Sequence, residues 1–218
     1  MTATEEARSS EEPPSYEAST SRESGNIQLA SELPHFVLDG TLIFPSPPPS
    51  RAMYELNSPP CEAKSATYEL RKISYRLNQR GEGGIRSRVD PIYTIRPFRV
   101  PLWFSGGRRH VLVDGLARGS TKEAHMVPSW DSPVGWNVKG LLKSEQQFLD
   151  MFRRKGAICW VDRGGRLIAE ETRVARKGGK IERLPGLEVK VQLDERRMDL
   201  LVACWVARLW KEAEKDLG

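Results

Sequence analysis

From Pro34 onward, hydrophobic and polar residues alternate in short runs, which is the pattern of β-strands with one buried face. The clearest run is 187–193, where Leu, Val, Val and Leu alternate with Glu, Lys and Gln. Residues 35–44 predict a hairpin around an Asp-Gly turn, and residues 157–170 predict another around Gly164 and Gly165. Shorter β-like runs lie near 51–56, 91–96, 101–104, 109–114 and 134–139.

The alternation slips once, inside the run 66–77. Tyr68 and Leu70 share one parity, whereas Ile73, Tyr75 and Leu77 share the other. One inserted residue moves all later side chains to the opposite face of a strand. We therefore expect a β-bulge near the middle of this run.

Two segments have helical spacing instead. Residues 143–154 repeat apolar residues at three and four positions, which suggests a short helix. Residues 198–210 are apolar on all sides between Leu200 and Ala207, and Asp194 is suited to cap a helix that covers about 195–215. Thirteen residues span only about 20 Å, too short for the roughly 30 Å of a bilayer core, so this helix belongs in an interior.

Together these elements predict a mostly β (α+β) domain in which a closed β-barrel wraps around the hydrophobic C-terminal helix. Closure would bury every side of that helix and leave no open sheet edge. Most of the six tryptophans lie in apolar runs and are expected in the core, with Trp130 the best exposed candidate.

Residues 1–33 differ in composition from the predicted domain at 34–218. They are rich in Ser, Glu and Thr and contain one aromatic residue, so we expect a disordered tail. Seven glutamates against two arginines give this tail a net charge of −5. The whole chain carries +5, so the domain carries +10 and should attract anionic partners.

The N-terminal sequence and the cysteine pattern predict a cytoplasmic protein. The nucleus and a membrane-peripheral position are the alternatives. The N-terminus is acidic where a secretory signal would be basic and then apolar. Cys61, Cys159 and Cys204 are odd in number and far apart, which argues against a disulfide framework or a metal site.

The tail contains Pro13-Pro14-Ser15-Tyr16, which matches the PPxY pattern that WW domains bind. Pro-Pro favours polyproline II, so docking in an aromatic groove orders little additional chain, and the tyrosine fills a neighbouring pocket. We expect Pro13, Pro14 and Tyr16 to recruit WW-domain proteins such as HECT-class ubiquitin ligases, with the chain as adaptor or substrate. The alternative is a chance match in a Pro-rich tail.

One basic segment comprises Arg176, Lys177, Lys180 and Arg183 around a Gly-Gly turn, where backbone N–H groups could also meet an anion. One interpretation is a surface for anionic lipids or phosphoinositides. The other is a solvated face balanced by the domain's acidic residues. Nucleic acid is disfavoured, since no helix-turn-helix, zinc finger or aromatic-basic RNA motif occurs.

Catalysis finds no support in the motifs. His35, His110 and His125 are isolated, Cys61 is better explained as a structural thiol, and no nucleophile elbow, phosphate loop or dinucleotide fingerprint is present. We expect a non-enzymatic interaction protein without cofactor or metal. An enzyme of unrecognised class, with a site assembled from distant residues, is the alternative.

Several segments carry a resemblance to a known group: the PPxY motif, residues 35–44, 51–56 and 58–61, and Leu200-Leu-Val-Ala-Cys-Trp-Val-Ala-Arg-Leu-Trp210. Over roughly residues 34–215 the chain resembles a group of uncharacterised fungal proteins and, in architecture, the tubby C-terminal-like superfamily of tubby proteins, phospholipid scramblases and LURP-one-related proteins. The resemblance implies a twelve-stranded barrel around a central C-terminal helix. It implies lipid binding by analogy of fold alone.

Overall fold

The computed structural model of the protein describes residues 33–46, 50–62, 65–77, 85–98, 110–129, 135–146, 157–172, 175–177 and 180–216. For 46, 77, 146, 175–177, 180–182 and 216 it describes the backbone only. Contacts divide the chain into Met1–Glu32 and Leu33–Gly218, and every described residue belongs to the second unit.

The described part of the chain contains fourteen β-strands, one short 3-10 helix at Pro60–Glu62 and one α-helix, α1, at Glu195–Asp216. The strands are β1 His35–Asp39, β2 Leu42–Ser46, β3 Tyr54–Leu56, β4 Tyr68–Leu77, β5 Ile85–Phe98, β6 His110–Gly115, β7 Glu123–Pro128, β8 Trp136–Val138, β9 Leu142–Gln146, β10 Ile158–Asp162, β11 Leu167–Thr172, β12 Ala175–Lys177, β13 Lys180–Arg183 and β14 Gly186–Val189.

Twelve of these strands form a closed antiparallel barrel in which consecutive strands pair from β1 to β11. β12 and β13 pair only with each other within the described residues, and β14 then pairs with β11 on one side and β1 on the other. The register Phe36↔Leu187 closes the barrel. The predicted closed barrel is therefore confirmed.

α1 lies in the interior of this barrel. Every residue from Asp199 to Lys211 is buried, and Leu201, Trp205 and Trp210 have no exposed surface. One continuous apolar cluster joins the helix to inward-facing residues of the strands. An apolar helix without a polar face needs such an enclosure, because every side of it must leave water.

The alternating connections of an up-and-down barrel fall at opposite ends. We call the end of the barrel at which β14 leads into α1 the helix-start end, and the opposite end the helix-finish end. The connections β2–β3, β4–β5, β6–β7, β8–β9 and β10–β11 also lie at the helix-start end. The helix-finish end receives the others, including the 3-10 helix and the β12–β13 hairpin. The side chain of Arg196 lies beside Gly119 of the β6–β7 connection, as this arrangement requires.

Both predicted hairpins are confirmed as β1–β2 and β10–β11. Gly40 and Gly165 take positive φ values of 58° and 80° in their turns, a conformation in which a Cβ would be strained. The predicted cap is confirmed too, since the backbone N–H of Arg197 donates to Asp194 Oδ1 at 2.9 Å.

Three predictions need correction. Residues 143–146 belong to strand β9 rather than to a helix, and the strand predicted over 187–193 ends at Val189. The β-bulge lies opposite Leu70 and Arg71 as expected, but Ile92 of β5 is the extra residue. The side chains of β4 therefore alternate between its two faces without interruption, so Lys72 points toward the helix and Ile73 points out of the barrel.

Candidate anion-binding surface

The connections at the helix-start end carry an excess of positive charge. Eight exposed cations there have neither an ion-pair partner nor an aromatic ring as partner among the described residues. We call them the basic rim: Arg76, Arg86, Arg118, Lys122, Lys139, Arg163, Arg166 and Arg196. Cations held close together without counter-charges produce a positive potential that attracts anions.

Several acidic residues at or near this end are engaged by other groups. Asp90 pairs with Arg88 at 2.8 Å, and Glu145 pairs with Lys143 at 3.1 Å. Asp162 Oδ1 accepts the backbone N–H groups of Gly164 and Arg166 at 2.8 and 3.0 Å, which shapes the β10–β11 turn. These carboxylates are already occupied, whereas Glu123 at the start of β7 is exposed, has only a 3.7 Å contact to His125, and offsets part of the charge of the rim.

A depression of about 340 Å³ lies between the β8–β9 turn, the β10–β11 turn and the segment that leads into α1. Arg163, Arg166 and Arg197 line it together with Asp162. Its apolar lining consists of Leu141, Leu142, Ile168, Val191, Leu193 and Leu200. Arginines around an apolar floor suit an anionic group attached to an apolar body.

The structure places the predicted basic segment elsewhere. Arg176, Lys177, Lys180 and Arg183 lie on the β12–β13 hairpin, at the helix-finish end. The backbone register sets Lys177 directly opposite Lys180, and Arg183 is exposed. The hairpin thus brings the predicted residues together but separates them from the basic rim.

The basic segment predicted from the sequence contains no member of the rim. Each of the missed residues looks like an isolated surface charge, because they come from different turns. The signal that could have grouped them is topological: every second turn of an up-and-down barrel lies at the same end. Without the strand count, that grouping could not be made.

Several ionisable groups with shifted pKa values hold the helix in place instead of lining this surface. Lys72 Nζ donates to Glu195 at 2.7 Å and to Asp199 at 2.8 Å, and Tyr54 Oη donates to Asp199 at 2.7 Å. Burial lowers the pKa of Lys72, but the two carboxylates outweigh it and raise that pKa above its usual value. Lys72 in turn lowers the pKa of Glu195.

A second buried group joins the helix to β11. Arg208 Nε donates to Glu171 Oε1 at 2.6 Å, a second guanidinium nitrogen donates to Oε2, and Trp160 Nε1 donates to Oε1 at 2.6 Å. Burial raises the pKa of Glu171, and the guanidinium of Arg208 opposes that shift. The carboxylate is fully occupied by these donors, so its role here is structural.

The remaining candidates yield no further site. Cys61 is partly buried against the core and Cys204 is fully buried, where burial raises its pKa. No group of three or more potential ligands among the described residues could hold a metal ion. No helix in the described ranges is long and apolar enough to cross a bilayer.

Several predicted features lie outside the described residues. These are Pro13, Pro14 and Tyr16 of the PPxY motif, the β-like run at 101–104, residues 147–154 of the predicted helix, and Trp103 and Trp130. The other four tryptophans, Trp136, Trp160, Trp205 and Trp210, are buried as expected.

Comparison with protein-family models, with curated proteins and with solved structures finds no match to this chain.

Proposed function

We propose that this protein is a non-enzymatic module that binds anionic membrane surfaces at the cytoplasmic side through its basic rim. The observation that carries the proposal is the gathering of eight exposed, unpaired cations from five connected segments at one end of the described barrel. Each Lys or Arg near an anionic bilayer contributes about 1 kcal/mol of attraction. Five segments held by one closed barrel present these charges together, so binding has to order the side chains but does not have to bring the segments together.

The depression beside Arg163 and Arg166 extends the same proposal to the headgroup. Its arginines provide donors for phosphate or carboxylate oxygens, and its apolar floor accepts the adjoining part of a lipid. We further propose a tubby-like barrel, supported by the twelve antiparallel strands and the buried C-terminal helix.

The decisive experiment measures partition onto vesicles with and without anionic lipid for two charge-reversal variants. Arg163→Glu/Arg166→Glu changes the rim, and Lys180→Glu/Arg183→Glu changes the hairpin by the same net charge. We expect the rim variant to lose at least about tenfold in partition, and the hairpin variant to lose much less. Raised salt should weaken wild-type binding, because exposed charges are screened.

Two results would contradict this assignment. Binding lost by the hairpin variant and kept by the rim variant would move the site to the predicted basic segment. Failure of the wild-type protein to bind anionic vesicles at low salt would exclude the proposed function. Equal melting temperatures of all three proteins establish that the fold is intact.

The second proposed function is docking of WW-domain proteins by the tail, and the Pro13-Pro14-Ser15-Tyr16 motif favours it. We expect a peptide of residues 1–33 to bind WW domains with a Kd on the order of micromolar, and Tyr16→Ala to abolish binding by emptying the tyrosine pocket. Calorimetric titration measures both peptides. Equal binding by the Tyr16→Ala peptide would show that the motif is a coincidence of composition.

A further inference from the structure

The longest hairpin of the barrel extends beyond its neighbours. β4 has its last backbone bond to the β2–β3 side at Ile73, whose N–H donates to Met53 O at 2.9 Å. β5 pairs with β6 only from Tyr93 onward. Beyond that bond, residues 73–77 and 85–91, which we call the arm, pair only with each other among the described residues, at the helix-start end.

The register gives the arm two different faces. Ile73 is opposite Val89, Tyr75 is opposite Ser87, and residue 77 is opposite Ile85. Since directly paired residues share a face, Ile73, Tyr75, Ile85 and Val89 form an apolar face.

This apolar face is unusually open to solvent. Tyr75, Ile85 and Val89 are 39%, 42% and 41% exposed, whereas the inward-facing apolar residues of the barrel are almost fully buried. The Tyr75 hydroxyl donates to Ala52 O at 2.9 Å, and Arg51 stacks 5.3 Å from the centre of its ring. These contacts hold Tyr75 at the base of the arm and leave Ile85 and Val89 uncovered.

The other face of the arm is basic. Arg76 lies directly opposite Arg86, and Arg88 is two residues further along β5. Two like charges at directly opposite positions destabilise a ribbon in water. Arg88 has Asp90 as its partner, whereas Arg76 and Arg86 belong to the basic rim.

We propose that the apolar face of the arm enters the interfacial layer of an anionic bilayer. This inference rests on the proposed membrane binding and identifies the part of the protein that makes the apolar contact with the bilayer. A bilayer offers an apolar layer beneath an anionic plane, which matches an apolar ribbon whose reverse carries arginines beside the other rim cations. From residue 73 to residue 77 the arm is about 13 Å long. That length is sufficient to reach the 5–10 Å depth, roughly, at which interfacial elements sit.

The test compares Ile85→Ser/Val89→Ser with the matched control Leu184→Ser, which changes an exposed leucine near the other end of the barrel. Partition onto vesicles of phosphatidylcholine with phosphatidylserine is measured at about 0.05 M and about 0.5 M salt. Screening at high salt removes the electrostatic part of the binding, but apolar insertion resists salt, so we expect wild type and control to retain a fraction of their binding there. The arm variant should lose that fraction and bind about tenfold more weakly at low salt.

A second readout follows insertion directly. A polarity-sensitive fluorophore on Ile85→Cys should shift to the blue with anionic vesicles, whereas the same label on Leu184→Cys should not. If the wild type binds anionic vesicles and Ile85→Ser/Val89→Ser binds them with equal strength and salt dependence, the arm proposal is wrong and the proposed function stands. If the wild type does not bind, both are wrong.

A protein partner for the arm gives a different pattern. Light scattering would detect a dimer of this chain. If only Ile85→Ser/Val89→Ser fails to form that dimer, and its vesicle binding is unchanged, the apolar face binds a second copy of this chain and the proposal is wrong.

Discussion

Trp205 is fully buried at the centre of the helix, yet its indole Nε1 has no hydrogen-bond partner within the described residues. A buried donor without an acceptor keeps its full desolvation cost, which is roughly 1–3 kcal/mol. The ring therefore stabilises the barrel by its volume and apolar area while its N–H group acts against stability.

Two substitutions of Trp205 separate these contributions. Trp205→Ala should lower the free energy of unfolding by about 3–5 kcal/mol because it leaves a cavity. Trp205→Phe should cost much less, since it keeps most of the ring and removes the unsatisfied donor. Urea unfolding measures both variants, and equal losses for Phe and Ala would refute the interpretation.

At the scale of elements, α1 and β11 are joined by the buried Arg208–Glu171 pair, which has almost no exposed surface. The sequence indicated an apolar helix but gave no indication of this pair. Arg208 follows the apolar run at ordinary surface spacing, and its partner is thirty-seven residues away on a strand. Only the closed barrel brings Glu171 to face the helix.

Removing one member of this pair should be costly. Arg208→Met leaves a buried carboxylate without its cation, and we expect the free energy of unfolding to fall by about 3–5 kcal/mol. Glu171→Gln/Arg208→Met should recover part of this loss, because glutamine keeps an acceptor for Trp160 and removes the unpaired charge. A double-mutant cycle by urea unfolding measures the coupling. A double variant less stable than Arg208→Met would argue against this account.

The predictions that succeeded depended on local signals. Asp39-Gly40 and Gly164-Gly165 specify hairpins because glycine adopts positive φ, and Asp194 caps α1 through its own side chain. Those that failed depended on neighbours. Val191 and Leu193 alternate like strand residues, but they follow the last strand and pack against the core from the segment that enters the helix. Alternation reports burial on one side, whichever structure produces it.

At the scale of the whole molecule, the fold class follows from the sequence because an apolar helix preceded by many short strands has few other ways to be buried. The basic rim does not follow from it. Arg118 and Arg163 lie at the same end because β6–β7 and β10–β11 are both alternate connections of one meander. One missed or added strand would have placed every later connection at the wrong end of the barrel. The missed strand β7 and the helix predicted over residues 143–146 were such errors.

Barrel closure depends on β1, which pairs with β2 and β14 and contributes Phe36 and Leu38 to the core. A chain that begins at Leu33 keeps both pairings and should melt at the temperature of the 218-residue chain. A chain that begins at Leu42 leaves β2 and β14 as open edges and uncovers the helix, so we expect it to lose cooperative unfolding and to aggregate. Calorimetry and circular dichroism of the two chains measure this difference. Cooperative melting of the shorter chain would mean that an open sheet is sufficient to hold the helix. Closure of the barrel would then no longer be the reason that the residues of the basic rim lie at one end.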